Sequence, residues 1–253
     1  MMISRQCCAM VALCVLAATA AAQGVDHARE YEACIALTFR NADEALSAAQ
    51  AWQKRGGGLP AEHCAALALL EAGRLEAAAQ RLEALASRLP PSGGPDPTEV
   101  LAQAANVWLL AGKTERALAA IDIALQGDPR AATLLIDRAR ILAEMGEYER
   151  ALEDLDTAAG EAPEDDDLAA FRAAALRRLG RFDAAVAEAE RARLLNPGNS
   201  SAGLELGLSR LQAGDLDGAR AALEETAERF AGTPAGDAAA RQLARMGRGK
   251  DAQ

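Results

Sequence analysis

The chain has 253 residues, of which 51% are hydrophobic and only 3% aromatic, and it carries a formal net charge of −10. An acidic balance of this size argues against binding to nucleic acid or to anionic lipid surfaces, because both are themselves negative. Few aromatic residues and abundant alanine favour closely packed elements with thin interfaces over one large globular core.

Residues 1–22 have the pattern of an export signal. Arg5 supplies a positive amino end, and residues 7–18 form an apolar run that is too short to span a bilayer comfortably. Residues 20–22 are alanines that offer a cleavage site before Gln23. An uncleaved membrane anchor is the alternative. Cleavage would remove one of the 27 basic residues and none of the 37 acidic ones, so the net charge would become −11. The sequence therefore predicts a soluble exported protein in the periplasm.

Only two cysteines, Cys34 and Cys64, lie outside this leader. Two cysteines in an oxidising compartment suggest a disulfide. The residues between the leader and position 58 read as a divergent helix pair, in which Asn41 can cap the second helix and the glycines at 56–58 end it.

A motif of nearly fixed period follows. A glycine recurs with an acid three residues later, a small residue two positions further on and, in four copies, a proline that ends the second helix. The glycines end the first helix of each pair, because glycine tolerates positive φ, and the acid suits the first turn of the second helix. They are Gly73, Gly112, Gly146, Gly180 and Gly214, and the last four are each 34 residues apart. A period of this length is typical of stacked helix pairs.

Two columns of small side chains accompany the glycines and would let the paired helices approach closely. They are Ala78, Ala117, Ala151, Ala185 and Ala219 in the second helices, and Ala66, Ala105, Ala139, Ala173 and Gly207 in the first. An unrelated alanine-rich bundle is the alternative, but it would not hold the 34-residue spacing. The first spacing is 39 residues because residues 91–95 are inserted as a loop.

This register resembles that of the tetratricopeptide repeat (TPR) family, including the apolar turn position at Leu75, Tyr148, Phe182 and Leu216. The resemblance implies an all-α, right-handed superhelical solenoid of antiparallel helix pairs, with an N-terminal partial repeat and a C-terminal capping helix. The implied segments are the signal at 1–22, a cap at 23–58, repeats at 59–92, 98–131, 132–165, 166–199 and 200–233, a capping helix at 234–246 and a frayed tail at 247–253. In such a stack the first helices of successive pairs are neighbours, so Cys34 and Cys64 would pair and pin the N-terminal cap.

The resemblance also implies a binding groove, because the first helices of TPR arrays line the concave side. The positions carried over are Asn106, Ile136, Arg140, Arg177, Arg178, Leu204 and Leu208. Their types predict a groove with a basic middle and an aliphatic end. The arginines would bind an acidic or C-terminal peptide segment. The alternative is that they pair with acids at helical spacing, such as Asp137, Glu144 and Asp167.

Catalytic chemistry has little support. The only histidines are His27 and His63. A Cys–His nucleophile at residues 63–64 is disfavoured because Cys64 is expected in the disulfide, and a zinc set of both histidines with the two cysteines does not follow the usual structural-zinc spacing. We therefore predict no enzyme, cofactor or metal. The predicted function is a cell-envelope scaffold that binds a protein or peptide of unknown identity in its groove. The alternative is a structural subunit of an envelope assembly that uses its convex face or its caps.

Overall fold

The computed structural model describes residues 26–90 and 95–250, and within them the chain forms thirteen α-helices and no strand. The helices are α1 His27–Thr38, α2 Ala42–Trp52, α3 Gly58–Glu71, α4 Leu75–Ala86, α5 Pro97–Leu110, α6 Thr114–Ala124, α7 Ala132–Glu144, α8 Tyr148–Glu161, α9 Asp166–Arg178, α10 Phe182–Leu195, α11 Ser200–Ala213, α12 Leu216–Arg229 and α13 Pro234–Lys250. A π-type turn, Gln53–Gly57, joins α2 to α3. The predicted all-α class is confirmed.

Each helix packs on the next, so the molecule is a row of helix pairs. The pairs are α3–α4, α5–α6, α7–α8, α9–α10 and α11–α12, with α1–α2 before them. The last helix, α13, packs on both α12 and α11 and covers the end of the row. It continues to Lys250, past residue 246, where the sequence predicts its end. The predicted solenoid of helix pairs is confirmed.

The turn between the two helices of each pair is closed by its glycine. At Gly146 φ is 80°, and the other four turn glycines have φ between 69° and 91°. The amide of Glu147 donates to the Leu142 carbonyl at 2.9 Å, which satisfies a carbonyl at the end of α7. A side chain at any of these glycines would be strained, so the turn residue of the repeat is fixed by backbone conformation.

The columns of small side chains lie in the core between paired helices. Ala151 is fully buried on α8, and Ala139 is 2% exposed on α7. In the last repeat Gly207 takes the place of the alanine, and a Cβ built there would lie 2.6 Å from Cγ of Leu223. The glycine is therefore required because Leu223 of α12 presses directly against α11.

Two contacts tie the N-terminal cap to the row. The sulfur atoms of Cys34 on α1 and Cys64 on α3 lie at disulfide distance, with the two Cα atoms 6.2 Å apart. Beside them Tyr31 Oη and His63 Nδ1 are 2.7 Å apart, and His63 Nε2 and Gln103 Oε1 are 2.8 Å apart. This chain of hydrogen bonds joins the first helices α1, α3 and α5.

Three predicted features fall wholly or partly outside the described residues. The export signal at 1–22 does so completely, the loop insertion does so at residues 91–94, and the frayed tail does so at residues 251–253. Among the helices that the structure describes, none combines the length and the apolar character needed to cross a bilayer.

Candidate binding groove

A cleft of about 640 Å³ opens between α7 and α9. α7 makes few contacts with α9 and similarly few with α5, so the cleft lies between first helices that are not closely packed. Ala151 and Leu155 of α8, both buried, form its floor. We call this cleft the arginine cleft, after Arg140, Arg177 and Arg178 on its rim.

The three arginines are engaged in different ways. Arg177 makes a two-point ion pair with Glu205 of α11, with Nε–Oε2 at 2.7 Å and Nη2–Oε1 at 3.3 Å. The side chains of this pair are only 12% and 14% exposed. A carboxylate held this closely neutralises the charge of Arg177, so this arginine contributes structure to the cleft more than free charge.

Arg140 and Arg178 are the exposed cations of the cleft. The Nη1 atom of Arg140 lies 3.2 Å from Asp137 Oδ1 and 3.4 Å from Asn106 Oδ1, so its charge is shared with one carboxylate on its own helix. The guanidinium carbon of Arg178 lies 5.2 Å from the centroid of the Tyr148 ring. Stacking on an aromatic face leaves the edges of a guanidinium free to donate.

Apolar side chains line the arginine cleft together with Arg140 and Arg178. Leu109 and Leu110 of α5 and Phe171 of α9 line the same cleft, and Leu110 is 67% exposed. A ligand in this cleft would therefore meet positive charge and apolar surface within a short distance.

A second cleft of about 730 Å³ lies along the amino-terminal halves of α5 and α7. Four acids line it, namely Asp96, Glu99, Asp128 and Asp137, and we call it the acidic cleft. Asn106 separates the two clefts, because its Nδ2 donates to Asp137 Oδ2 at 3.0 Å while its Oδ1 faces Arg140. The acidic cleft thus follows the arginine cleft along α5 and α7, and the arginine cleft has both arginines and two glutamates, Glu144 and Glu205, on its lining.

The predicted groove residues are distributed as follows. Arg140, Arg177 and Arg178 line the arginine cleft, and Asn106 lines the acidic cleft. Ile136, Leu204 and Leu208 are half-buried on α7 and α11 and line neither of these two clefts.

Sequence reasoning identified the arginines but missed most of their partners. The pair of Arg140 with Asp137 has the helical spacing that the sequence alternative named. The partner of Arg177 comes from the next repeat, 28 residues along the chain. Tyr148 belongs to the apolar turn column, as does Phe182 one repeat later, and its period alone does not indicate a contact with Arg178. That contact and its place on the cleft lining are visible only in the structure.

The four residues considered for catalysis or zinc have other partners. Trp52 Nε1 donates to His27 Nδ1 at 3.3 Å, whereas His63 lies between Tyr31 and Gln103. The two cysteine sulfurs face each other. Among the described residues, no group of three or more histidine, cysteine or acidic side chains is arranged to hold a metal ion.

Comparison with known families identifies the class of protein. Tetratricopeptide repeat profiles match residues 108–176, 172–237 and 204–251, which together span more than half of the chain. The chain therefore belongs to the tetratricopeptide repeat family. A profile of the CAP N-terminal conserved motif matches residues 73–106, a short stretch from the turn after α3 into α5. No curated protein gives a significant match to the sequence.

Solved structures show the same architecture. MamA from Desulfovibrio magneticus RS-1, a structure running from residue 41 to its end, is 19% identical with a TM-score of 0.57, covering 66% of this chain and 93% of that one. A tetratricopeptide repeat protein from Parabacteroides merdae ATCC 43184 is 20% identical with a TM-score of 0.59, covering 88% of this chain and 76% of that one. At this identity the likeness establishes the solenoid fold alone.

Proposed function

We propose that this protein is a non-enzymatic scaffold of the bacterial cell envelope that binds a segment of another protein in the arginine cleft. The tetratricopeptide repeat fold supports the general role of a protein–protein interaction scaffold. The assignment to the cleft depends on one observation. Two exposed cations, Arg140 and Arg178, stand beside exposed apolar surface in the cleft between α7 and α9.

This combination suits a protein ligand. An interface is strongest where aromatic and arginine side chains meet partly desolvated apolar surface, and a carboxylate of the ligand would receive charge-assisted hydrogen bonds. The cavity of about 640 Å³ lies in the range of ordinary ligand sites. It would hold a few side chains of an extended segment rather than a folded domain.

The envelope location is supported by the leader at 1–22 and by the cysteine pair. A disulfide persists in an oxidising compartment and is rare in the cytosol. Amino-terminal sequencing of the protein from a periplasmic fraction tests the location, and we expect the mature chain to begin at Gln23. An intact amino terminus retained in the membrane fraction would favour the uncleaved anchor instead.

Removal of the exposed cations tests the groove. The double variant Arg140→Gln/Arg178→Gln should lose partners that the wild-type chain captures from an envelope extract. Arg177 is left in place, because its loss would leave Glu205 without its ion-pair partner. The matched control is Arg241→Gln/Arg245→Gln, which removes the same charge from exposed positions on α13. Unchanged capture by the groove variant would contradict the proposal.

A structural role through other surfaces is the second candidate, and two exposed apolar side chains favour it. Phe39 at the end of α1 is 74% exposed and Leu194 near the end of α10 is 84% exposed, and neither lines the arginine cleft. If Phe39→Ser/Leu194→Ser abolishes capture while the groove variant retains it, these surfaces make the contact.

A further inference from the structure

The three arginines that line the arginine cleft differ in how far nearby carboxylates neutralise them, and this limits the ligands that the cleft can accept. Arg177 is neutralised by Glu205 at 2.7 Å. Arg140 shares its charge with Asp137 at 3.2 Å. Arg178 stacks on Tyr148, and none of its described contacts is to a carboxylate. Of the three arginines that line the cleft, Arg178 is thus the one with no carboxylate among its described contacts. The exposed Glu144 on the same lining adds one negative charge, which further limits the number of acids a ligand can carry.

The neighbouring acidic cleft opposes further negative charge. Asp96, Glu99 and Asp128 line it, and it begins where Asn106 and Asp137 separate the two clefts. A ligand segment with a run of acids would extend from the arginine cleft into this negative region and be repelled. A segment with a single acid avoids that repulsion.

The apolar side chains that line the arginine cleft indicate a second feature of the ligand. Leu109 and Phe171 line the same cavity as Arg178, and Leu110 at its edge is 67% exposed. A large apolar side chain next to the acid would cover this surface while the carboxylate reaches Arg178.

We infer that the arginine cleft recognises an internal protein segment with one Asp or Glu side chain beside one large apolar side chain, and that Arg178, held on Tyr148, is the residue that selects the carboxylate. This inference rests on the proposed function and defines its ligand. The segment is internal because the two clefts follow each other along α5 and α7, so an extended chain can pass from one to the other without ending in the cavity. Neutral or basic residues suit the part of the segment that crosses the acidic cleft.

Selection from a random library of twelve-residue segments displayed internally, with no free carboxyl terminus, tests the inference on the full chain. We expect the wild type to enrich sequences with one acid within two positions of a leucine, isoleucine, methionine or phenylalanine. One enriched segment, made as a peptide with both ends blocked, then serves as the probe in a fluorescence anisotropy titration.

Binding of that probe should weaken about tenfold in Arg178→Gln, because a charge-assisted hydrogen bond is lost. It should be unchanged in Arg181→Gln, which removes an exposed charge three residues away that does not line the cleft. Replacing the acid of the probe by the corresponding amide should weaken its binding to the wild type by the same factor as Arg178→Gln does. The same replacement should have little further effect on binding to Arg178→Gln. Glu99→Gln should strengthen binding of a probe extended by three acids, because it reduces the repulsion.

Three results would overturn the inference while leaving a groove-binding scaffold intact. These are enrichment of acidic runs, enrichment of segments only when the same library is displayed with a free carboxyl terminus, and equal binding by Arg178→Gln and the wild type. If the wild type enriches no segment and envelope capture is unaffected by Arg140→Gln/Arg178→Gln, the proposed function itself fails.

Discussion

Asp154 on α8 accepts two hydrogen bonds from the guanidinium of Arg138 on α7, from Nε and from Nη2, each at 2.7 Å. A third bond, 3.0 Å long, joins Arg138 Nη1 to Asp122 of the preceding pair. The hydrogen bond to Asp154 raises the pKa of Arg138 above its ordinary value. One repeat later Arg172 makes the same bridge, to Asp156 and Glu188. An arginine of the first helix thus joins two second helices in successive repeats.

Replacement of Arg138 by methionine should destabilise the array. Asp154 is only 8% exposed and would be left without its partner, at a cost of about 1–3 kcal/mol in the free energy of unfolding. Urea unfolding followed by circular dichroism measures the change. The control is Arg150→Met, which removes an exposed ion pair with Glu147 and should cost less than about 1 kcal/mol. Equal effects of the two substitutions would mean that this bridge contributes no more to the free energy of unfolding than an exposed ion pair does.

Gly207→Ala should destabilise the last repeat, because the added Cβ would lie 2.6 Å from Leu223 Cγ. Relief of the clash requires a shift of α11 from α12, at about 1–3 kcal/mol. Gly160→Ala is the matched control, since no atom lies within 4 Å of a Cβ built there. That change should stabilise α8 by about 0.5–1 kcal/mol. Thermal unfolding of both variants compares the two effects, and stabilisation by Gly207→Ala would show that the helices are further apart than described.

Tyr31 gives a prediction for alkaline pH. Burial raises its pKa above the ordinary 10.0, so the folded state holds the phenolic proton more tightly than the unfolded chain. Its contribution to stability is therefore fully present below about pH 10 and is lost as the pH rises through the folded-state pKa. Tyr31→Phe should cost about 0.5–1.5 kcal/mol near neutral pH through the lost hydrogen bond to His63.

The stability difference between wild type and Tyr31→Phe should shrink as the pH is raised above 10. Urea unfolding of both chains at pH 8, 9, 10 and 11 measures this difference and cancels the alkaline effects that the two share. A constant difference over that range would show that the phenol is not buried as described.

The cysteine pair predicts a disulfide in the oxidised protein. Alkylation without reduction, followed by peptide mass measurement, should find no free thiol at Cys34 or Cys64. Closure of a loop with a sequence separation of 30 should stabilise the chain by about 3–4 kcal/mol. A reducing agent should therefore lower the unfolding midpoint of the wild type and leave that of Cys34→Ser/Cys64→Ser unchanged. Two alkylated cysteines in the untreated protein would exclude the bond.

The class of fold can be read from the sequence, because the signals that specify it are local. Glycines at a fixed spacing, as at Gly112 and Gly146, and small residues such as Ala151 act through the local backbone and through contacts within one helix pair. Such effects depend only on residues close in the chain, so their period can be read directly. The period also placed Arg140, Arg177 and Arg178 on first helices.

The neutralisation of Arg177 and the surroundings of Arg178 follow only from contacts between repeats. The partner of Arg177 is Glu205 in the next repeat, and the ring under Arg178 belongs to Tyr148 in the preceding one. Both contacts join different repeats, so they depend on how successive helix pairs pack on one another. That packing results from side chains along the whole row, which no local spacing specifies. It places α5, α7 and α9 around the cleft and so determines which residues a ligand would meet.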